Sequence, residues 1–382
     1  MTIVVTAVAC GSDSQAADHD QTLDVGSYST QRADSAFDDQ PSRARGILVE
    51  SLRLGERIVF GSDVAPEFQA GHGGNVIATA GGIRNSDGVF APPLAPHHPL
   101  AAYIAASAET PYISEYHKGY TLSVALVAFP DEQSAAAAAV DMNQNDFAAN
   151  AKNQAVGIPD YPAAQSHWRP GVPNLGSWLA WKSVLIAVYV EAPQANLDQL
   201  TGFVARTYEQ QIPKLDGYVP TPADQQPMLK LDRDKLLSRL VSTGSQVLDP
   251  RQFAVYSPRG YAVLGTSPAA DARDYDSKGV KAIAVSDNKY LYQMRDADAA
   301  RDFTAHLTDV PTVSKYIPMR GVAGAPSIAC FKATQPNPTV AGARQFRCLI
   351  PYERFVAEVF SDQESDVRQL AAAQYAVLKG SK

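Results

Sequence analysis

The segment TLSVALVAFPDEQSAAAAAVDMNQNDFA, residues 121–148, changes midway from one hydrophobic pattern to another. Residues 121–129 are apolar and partly β-branched, which is typical of a buried strand. Pro130 and Asp131 then indicate a helix start, because an Asp side chain caps free amide groups and Pro fits the first turn. The alanine-rich remainder favours a helix to about Ala148. We therefore predict a strand followed directly by a helix.

After this strand and helix, the first half of the chain has predicted strands at 178–182 and 184–190 and a predicted helix at 196–210. The second half shows the same succession: strands at 289–294, around Cys330, around Cys348 and at 354–360, with helices at 296–307 and from Ser365 to a stop at Gly380.

The two halves are also similar in detail, since Leu197-Asp-Gln-Leu200 and Val367-Arg-Gln-Leu370 occupy matching places 170 residues apart. The sequence thus predicts an α+β protein of two tandem β-α-β-β-α domains, ferredoxin-like or related, that arose by internal duplication. Each domain is expected to have an antiparallel sheet with its helices on one face.

Composition changes divide the 382 residues into four expected regions. Residues 1–22 form a signal remnant with a lipobox and a tether, and 23–215 form the N-terminal domain. Residues 216–231 form a proline-rich linker, and 232–382 form the C-terminal domain, which carries a disulfide.

Three local predictions concern the starts of the domains. Helices are expected at Ser42–Leu54 and Asp232–Val241, each opening one domain. Residues 70–99 contain several glycines and prolines and are predicted to be a loop.

The N-terminus indicates export and lipidation. Ala7-Val8-Ala9-Cys10 resembles the lipobox of bacterial lipoproteins, and the polar Gly11-Ser-Asp-Ser14 resembles the tether that follows it. Cys10 is therefore the predicted lipidation site, and a basic segment is expected upstream of the given Met1. The alternative is a cytosolic protein whose first residues form a buried strand.

Cys330 and Cys348 are predicted to form a disulfide. Each lies in an apolar strand-like segment, and the loop between them is rich in Pro, Asn and Gly. If the alternating faces of the two strands coincide, the cysteines lie opposite each other and close enough to bond. A disulfide persists only in an oxidising compartment, which agrees with export. The alternative is a reduced pair in the core.

Leu23-Asp-Val-Gly-Ser-Tyr28, with the helix Gly46-Ile-Leu-Val-Glu-Ser-Leu-Arg53, resembles a family of uncharacterised actinobacterial cell-envelope lipoproteins. That family has a Leu-Asp-Val-Gly-x-Tyr stretch after its lipid cysteine and a two-domain layout of unknown function. The resemblance implies an extracytoplasmic location at the cell membrane and the same fold, and it implies no activity.

Several chemistries are unsupported by the sequence. The net charge of −7 without a basic block excludes a nucleic-acid interface. Nucleophile elbow, zinc-protease and phosphate-loop motifs are missing, and we predict no catalytic residues, cofactor or metal site. The Ser286-Asp-Asn-Lys289 string imitates motifs of penicillin-binding enzymes, but their Lys-Thr-Gly strand is absent.

Aromatic residues in the first half are the best candidates for ligand contacts. Tyr112, Tyr116 and Trp168 lie in or beside loops, where they could line a cleft for a sugar, glycolipid or peptide. The resulting hypothesis is a non-catalytic, membrane-anchored envelope lipoprotein that binds an unknown ligand or protein partner. Its alternatives are an envelope hydrolase or transferase with an unrecognised site, or a structural subunit of an envelope complex.

Overall fold

The computed structural model describes residues 22–33, 35–77, 91–111, 119–243, 248–249, 253–309, 315–334 and 344–380. Their strands form two antiparallel sheets of seven strands each. None of the described helices is long and apolar enough to cross a bilayer.

The N-terminal domain contains seven strands and five α-helices within the described residues. In chain order they are α1 (Arg43–Gly55), α2 (Gly61–Val64), β1 (Ala70–Val76), α3 (Ala91–Leu94), β2 (Ala101–Ala108), β3 (Thr121–Ala128), α4 (Glu132–Ala148), β4 (Gln154–Ala155), β5 (Gln165–Trp168), β6 (Asn174–Trp181), β7 (Val184–Glu191) and α5 (Leu197–Gln211).

The C-terminal domain continues with the second set of seven strands. Its elements are β8 (Phe253–Tyr256), α6 (Pro258–Ala262), α7 (Pro268–Ser277), β9 (Val280–Ser286), β10 (Lys289–Met294), α8 (Ala297–Asp309), β11 (Tyr316–Met319), β12 (Ala329–Ala333), β13 (Phe346–Tyr352), β14 (Phe355–Ser361) and α9 (Glu364–Lys379).

The two sheets have the same topology. The strand order is β1-β2-β3-β7-β6-β5-β4 in the first, and β8-β9-β10-β14-β13-β12-β11 in the second, so adding seven to each label converts one into the other. The α+β class and the two antiparallel sheets are as predicted, and the identical strand order agrees with an internal duplication.

The helices lie on both faces of each sheet, which corrects the prediction of one covered face. In the first domain, α4 packs its alanines against Trp178, Leu185 and Ala187. Leu200 and Phe203 of α5 pack with Ile186 and neighbouring side chains on the opposite face. The central strands are apolar on both sides, so both faces need a cover.

Two other local predictions are wrong. Residues 70–76, expected to be loop, form the edge strand β1. The expected helix at Asp232–Val241 is only a short 3-10 turn, Leu237–Arg239. There the Asp232 carboxylate accepts from the amides of Leu236, Leu237 and Ser238, and Lys235 has a φ of 58°, so the chain turns and does not propagate a helix.

The predicted disulfide is confirmed. Cys330 of β12 and Cys348 of β13 are direct cross-strand partners and are bonded to each other. Both are buried on the face that α9 covers, because they share a core with Val367 and Leu370.

The segment between the sheets packs tightly on α1. Arg45 donates to the carbonyls of Pro227 and Leu229 and forms a buried ion pair with Asp38. Asp38 in turn accepts from the amides of Leu231 and Asp232. The expected linker 216–231 thus lies against the N-terminal domain, and a continuous apolar core joins both domains.

Candidate functional site

A pocket of about 470 Å³ lies between the two domains. We call it the interdomain pocket. The first domain contributes residues 71–74 of β1 and Pro111, and the second contributes Tyr261, Leu264, Thr266, Val285 and Tyr290. Its volume falls in the range of small-molecule sites, and a junction between domains is a common place for them.

The glycines of β1 bring the domains close together on the floor of this pocket. The amide of Gly71 donates to the carbonyl oxygen of Thr266 at 2.9 Å. A Cβ atom on Gly71 would lie 2.4 Å from the carbonyl oxygen of Gly265, and one on Gly74 would lie 2.7 Å from Cγ1 of Val263, both in the second domain. A Cβ atom on Gly74 would also lie 2.2 Å from the Tyr103 hydroxyl of the neighbouring strand β2. The glycine cluster is therefore a requirement of close packing and not the mark of a loop.

The strand is irregular at the pocket. The register of β1 against β2 shifts between Gly71 and Gly74, and Gly73 has a φ of 85°, which a side chain would strain. The bulge accommodates His72, whose Nε2 lies 2.7 Å from the carbonyl oxygen of Thr110. Because a carbonyl only accepts, Nε2 is the donor in this contact.

Tyrosine rings form the opposite wall. The Tyr261 ring lies 5.7 Å from that of Tyr256, 6.0 Å from that of Tyr275 and 6.3 Å from that of Tyr290, measured between centroids. This packing fixes the Tyr261 ring. Burial raises the pKa of Tyr261 well above its usual value, so the hydroxyl keeps its proton at neutral pH.

The hydroxyl groups of the wall differ in their partners. Tyr290 accepts a 2.8 Å hydrogen bond from Arg344, whose guanidinium also lies over the Tyr290 ring. Tyr261 makes no hydrogen bond with any residue that the structure describes. Tyr261 therefore presents an uncommitted donor and acceptor at the pocket.

A charged cluster behind this wall distinguishes the second domain from the first. Glu358 is paired with Tyr290 across the sheet and contacts Arg347 at 3.3 Å and Tyr292 at 3.5 Å. Burial raises the pKa of the Glu358 carboxyl, against the opposing effect of Arg347. Ion pairs inside a sheet are costly unless they are well satisfied.

Equivalent positions in the hairpins β6–β7 and β13–β14 show which residues of the first domain correspond to Glu358 and Arg347. Each turn has one residue of positive φ, Lys182 in the first and Glu353 in the second. Counting five residues forward from each gives Ala187 and Glu358, and six back gives Gly176 and Arg347. The first domain therefore has two small residues at the places of the Glu358–Arg347 pair.

The sequence-predicted ligand residues lie elsewhere. Trp168 is half-buried in β5, its indole N–H donates to the carbonyl of Val172 at 2.8 Å, and it is not among the residues lining the pocket. Tyr112, Tyr116 and Cys10 lie outside the described residues. The roles given to these four residues stay predictions.

Tyr261 and Tyr290 could not be recognised as pocket residues from the sequence, because neither belongs to a motif. The glycines at 71, 73 and 74 do mark a place of close packing, but the local sequence pattern predicted a loop there. Only the fold brings residues 71–74 within contact of residues about 190 positions later.

Five histidines lie within the described residues, and their contacts bear on catalysis. His97 pairs with Asp141 and His306 with Asp274, each at 2.7 Å, and His167 contacts Asn143 at 2.8 Å and Asp146 at 3.5 Å. His72 contacts the Thr110 carbonyl, and His98 is exposed. Within the described ranges, none of them bonds a Ser, Thr or Cys side chain, and no group of three acidic, His or Cys residues is placed to hold a metal.

Comparison with family models decides the relationship of the chain to other proteins. A model described as "Domain of unknown function (DUF7373) N-terminal" matches residues 37–231, and its C-terminal counterpart matches residues 236–381. The chain belongs to the DUF7373 family. The expectation of a two-domain family of unknown function is thereby confirmed.

Other comparisons add little about the DUF7373 chain. No curated protein matches it. Among solved structures it is similar to the extracellular domain of PknH from Mycobacterium tuberculosis, with 14% identity and a TM-score of 0.28. That match covers 45% of this chain and 98% of the PknH domain. A similarity at that score carries no argument about fold or function.

Proposed function

We propose that the chain is a non-catalytic, membrane-anchored lipoprotein of the bacterial envelope that binds a small molecule in the interdomain pocket. The observation that carries the binding proposal is Tyr261, which lines a pocket shared by both domains and whose hydroxyl has no hydrogen-bond partner among the described residues. A polar group that finds no partner in the described protein gains a hydrogen bond when a ligand binds.

The location rests on two cysteine features. The Cys330–Cys348 disulfide is of a kind that persists in oxidising compartments outside the cytoplasm. Ala7-Val8-Ala9-Cys10 has the pattern of a lipidation signal, and attachment through Cys10 would hold the protein at the outer face of the cell membrane.

We prefer a binding role to catalysis because the Tyr290 and Tyr261 hydroxyls have no described base as a hydrogen-bond partner. Tyr290 is bonded to Arg344, which cannot accept a proton. A nucleophile needs a neighbouring base, and Tyr261 has none within hydrogen-bond distance among the described residues.

Native mass spectrometry tests the binding role. The full chain is incubated with the low-molecular-weight fraction of a bacterial envelope extract, and we expect a discrete added mass. Thr266→Trp, which fills the pocket, should abolish it. Gln133→Trp on the exposed side of α4 should retain it. No added mass, or an added mass that Thr266→Trp leaves unchanged, would contradict the proposal.

Intact mass spectrometry tests the anchor. For protein expressed in an actinobacterial host with a basic signal segment fused before residue 1, we expect a mature N-terminus at Cys10 that carries acyl groups. An unprocessed chain without acyl groups would overturn this part of the proposal.

A further inference from the structure

Among the residues that the structure describes, the lining of the interdomain pocket contains no permanently charged side chain. Its polar side chains are the hydroxyls of Tyr261, Thr266 and Tyr290 and the imidazole of His72. Leu264, Val285 and Pro111 supply apolar surface. Arg344 is a cation that contacts this wall, and it is already engaged by the hydroxyl and ring of Tyr290.

This lining disfavours two classes of ligand. A carboxylate or phosphate would lose its hydration without meeting a free cation on the described lining residues, and an uncompensated charge is expensive to bury. A hydrocarbon chain would cover the Tyr261 and Thr266 hydroxyls without giving them a hydrogen-bond partner, which is also costly. The ligand should therefore be neutral and should carry many groups that both donate and accept hydrogen bonds.

A sugar ring has these properties. Its C–H faces pack on aromatic rings and aliphatic side chains, while its hydroxyls alternate between donor and acceptor. The Tyr261 and Tyr290 rings lie with centroids 6.3 Å apart and at 65° to each other, so the wall offers ring surface in two orientations beside the free hydroxyl.

We infer that the interdomain pocket binds a neutral saccharide unit, with Tyr261 as the residue that hydrogen-bonds it and Thr266 as a second hydroxyl contact. This inference rests on the proposed function, since it names the ligand class of the same pocket. The saccharide is either free or the end unit of an envelope glycan, because both present the same chemistry.

The test is binding to the full chain by calorimetry and saturation-transfer NMR. The neutral probes are glucose, galactose, arabinose, maltose and cellobiose, with a neutral envelope polysaccharide as the polymeric source. Glucose 6-phosphate and decanoate represent the anionic and apolar classes. We expect at least one neutral sugar to bind and the two other probes to fail. Tighter binding of the polysaccharide than of every free sugar would identify a glycan end.

Matched variants locate the binding. Tyr261→Phe keeps the ring and removes only the hydroxyl, so Kd for the sugar should rise about fivefold, the usual effect of one neutral hydrogen bond. Thr266→Val provides a second variant if Tyr261→Phe folds poorly. Tyr189→Phe is the control, because Tyr189 lies on β7, is 42% exposed and does not line the pocket.

Three results would overturn the inference, and they separate it from the proposed function. Binding of glucose 6-phosphate or decanoate without any sugar would show a ligand pocket of another class. Failure of every probe, while the extract gives an added mass that Thr266→Trp abolishes, would refute the saccharide and keep the pocket. Sugar binding unchanged in both Tyr261→Phe and Thr266→Val would place the sugar elsewhere.

Discussion

Tyr28 donates a 2.7 Å hydrogen bond to Asp366, a residue 338 positions later in the first turn of α9. This hydrogen bond connects the first described segment, residues 22–33, to the last helix, α9. Asp24 reinforces the contact by accepting from Gln369, and Gly26, with a φ of 54°, lies against the same glutamine. The Leu23-Asp-Val-Gly-Ser-Tyr28 motif is therefore a docking segment for the C-terminal domain.

Removing the Tyr28 hydroxyl tests this docking. We expect Tyr28→Phe to lower the free energy of unfolding by about 1–2 kcal/mol, because a bond to a carboxylate that is partly exposed is lost. Amide exchange of residues 24–33 should also become faster. Tyr189→Phe is the control, since the exposed Tyr189 makes no hydrogen bond through its side chain with a described residue. Equal behaviour of the two variants in urea unfolding and exchange would show that the segment is not held by Tyr28.

Two helical glycines test how closely residues 216–231 pack on α1. A Cβ atom at Gly46 would lie 2.2 Å from the backbone oxygen of Gln226, whereas one at Gly202 of α5 would meet only the end of Arg206 at 3.7 Å. Gly46→Ala should destabilise the protein by about 1–3 kcal/mol through overpacking. Gly202→Ala should stabilise it by about 0.5–1 kcal/mol, the ordinary gain of Ala in a helix.

Urea unfolding of both variants gives the comparison. If Gly46→Ala were stabilising like Gly202→Ala, the Gln226 backbone would have to lie farther from α1 than the structure shows.

The disulfide should contribute strongly to stability. Cys330 and Cys348 are separated by 18 residues, and in the chain-entropy model closing such a loop contributes about 3 kcal/mol. Replacing both with Ala should reduce the free energy of unfolding by roughly that amount. Since both cysteines are buried under α9, the native wild-type protein should also resist dithiothreitol until it unfolds. Ready reduction of the folded protein would contradict the burial.

Lys289 gives a prediction about pH. Its ammonium group is fully buried and donates to Thr243 and to Asn288, and burial lowers the pKa of Lys289 from 10.5 to about 8. Below pH 8 the folded protein carries this buried charge at full cost. Between about pH 8 and 10.5 the unfolded chain binds more protons at this residue than the folded one, so its contribution to stability becomes more favourable as pH rises.

The stability difference between Lys289→Met and wild type isolates this effect from other titrating groups. The difference in free energy of unfolding between Lys289→Met and wild type should be constant below pH 8. Between pH 8 and 10.5 it should change by a few kcal/mol in favour of the wild type. Thermal or urea unfolding across this range measures it. Parallel stability curves for the two proteins would mean that Lys289 titrates normally.

The regular elements could be predicted from local patterns because their causes are local. Strands such as β3 and β7 are continuous apolar runs, and Asp131 and Asn196 cap α4 and α5 with their own side chains. The disulfide followed from strand alternation and was found in register. The helix expected after Asp232 does not form, because the Asp232 carboxylate accepts hydrogen bonds from three successive amides of a turn.

The pocket could not be predicted because its causes are distant in sequence. Gly71 and Gly74 are glycines on account of Gly265 and Tyr103, which a local pattern cannot show. A local pattern also cannot show that Tyr261 lines a pocket, because the other wall is formed by the distant strand β1.

Hydrogen–deuterium exchange shows whether the interdomain pocket is the binding site. The full chain is compared with and without the low-molecular-weight fraction of a bacterial envelope extract. We expect slower exchange in residues 70–76 and 258–266, the two walls of the pocket, and no change in Thr266→Trp. Protection confined to other surfaces, or no protection at all, would contradict it.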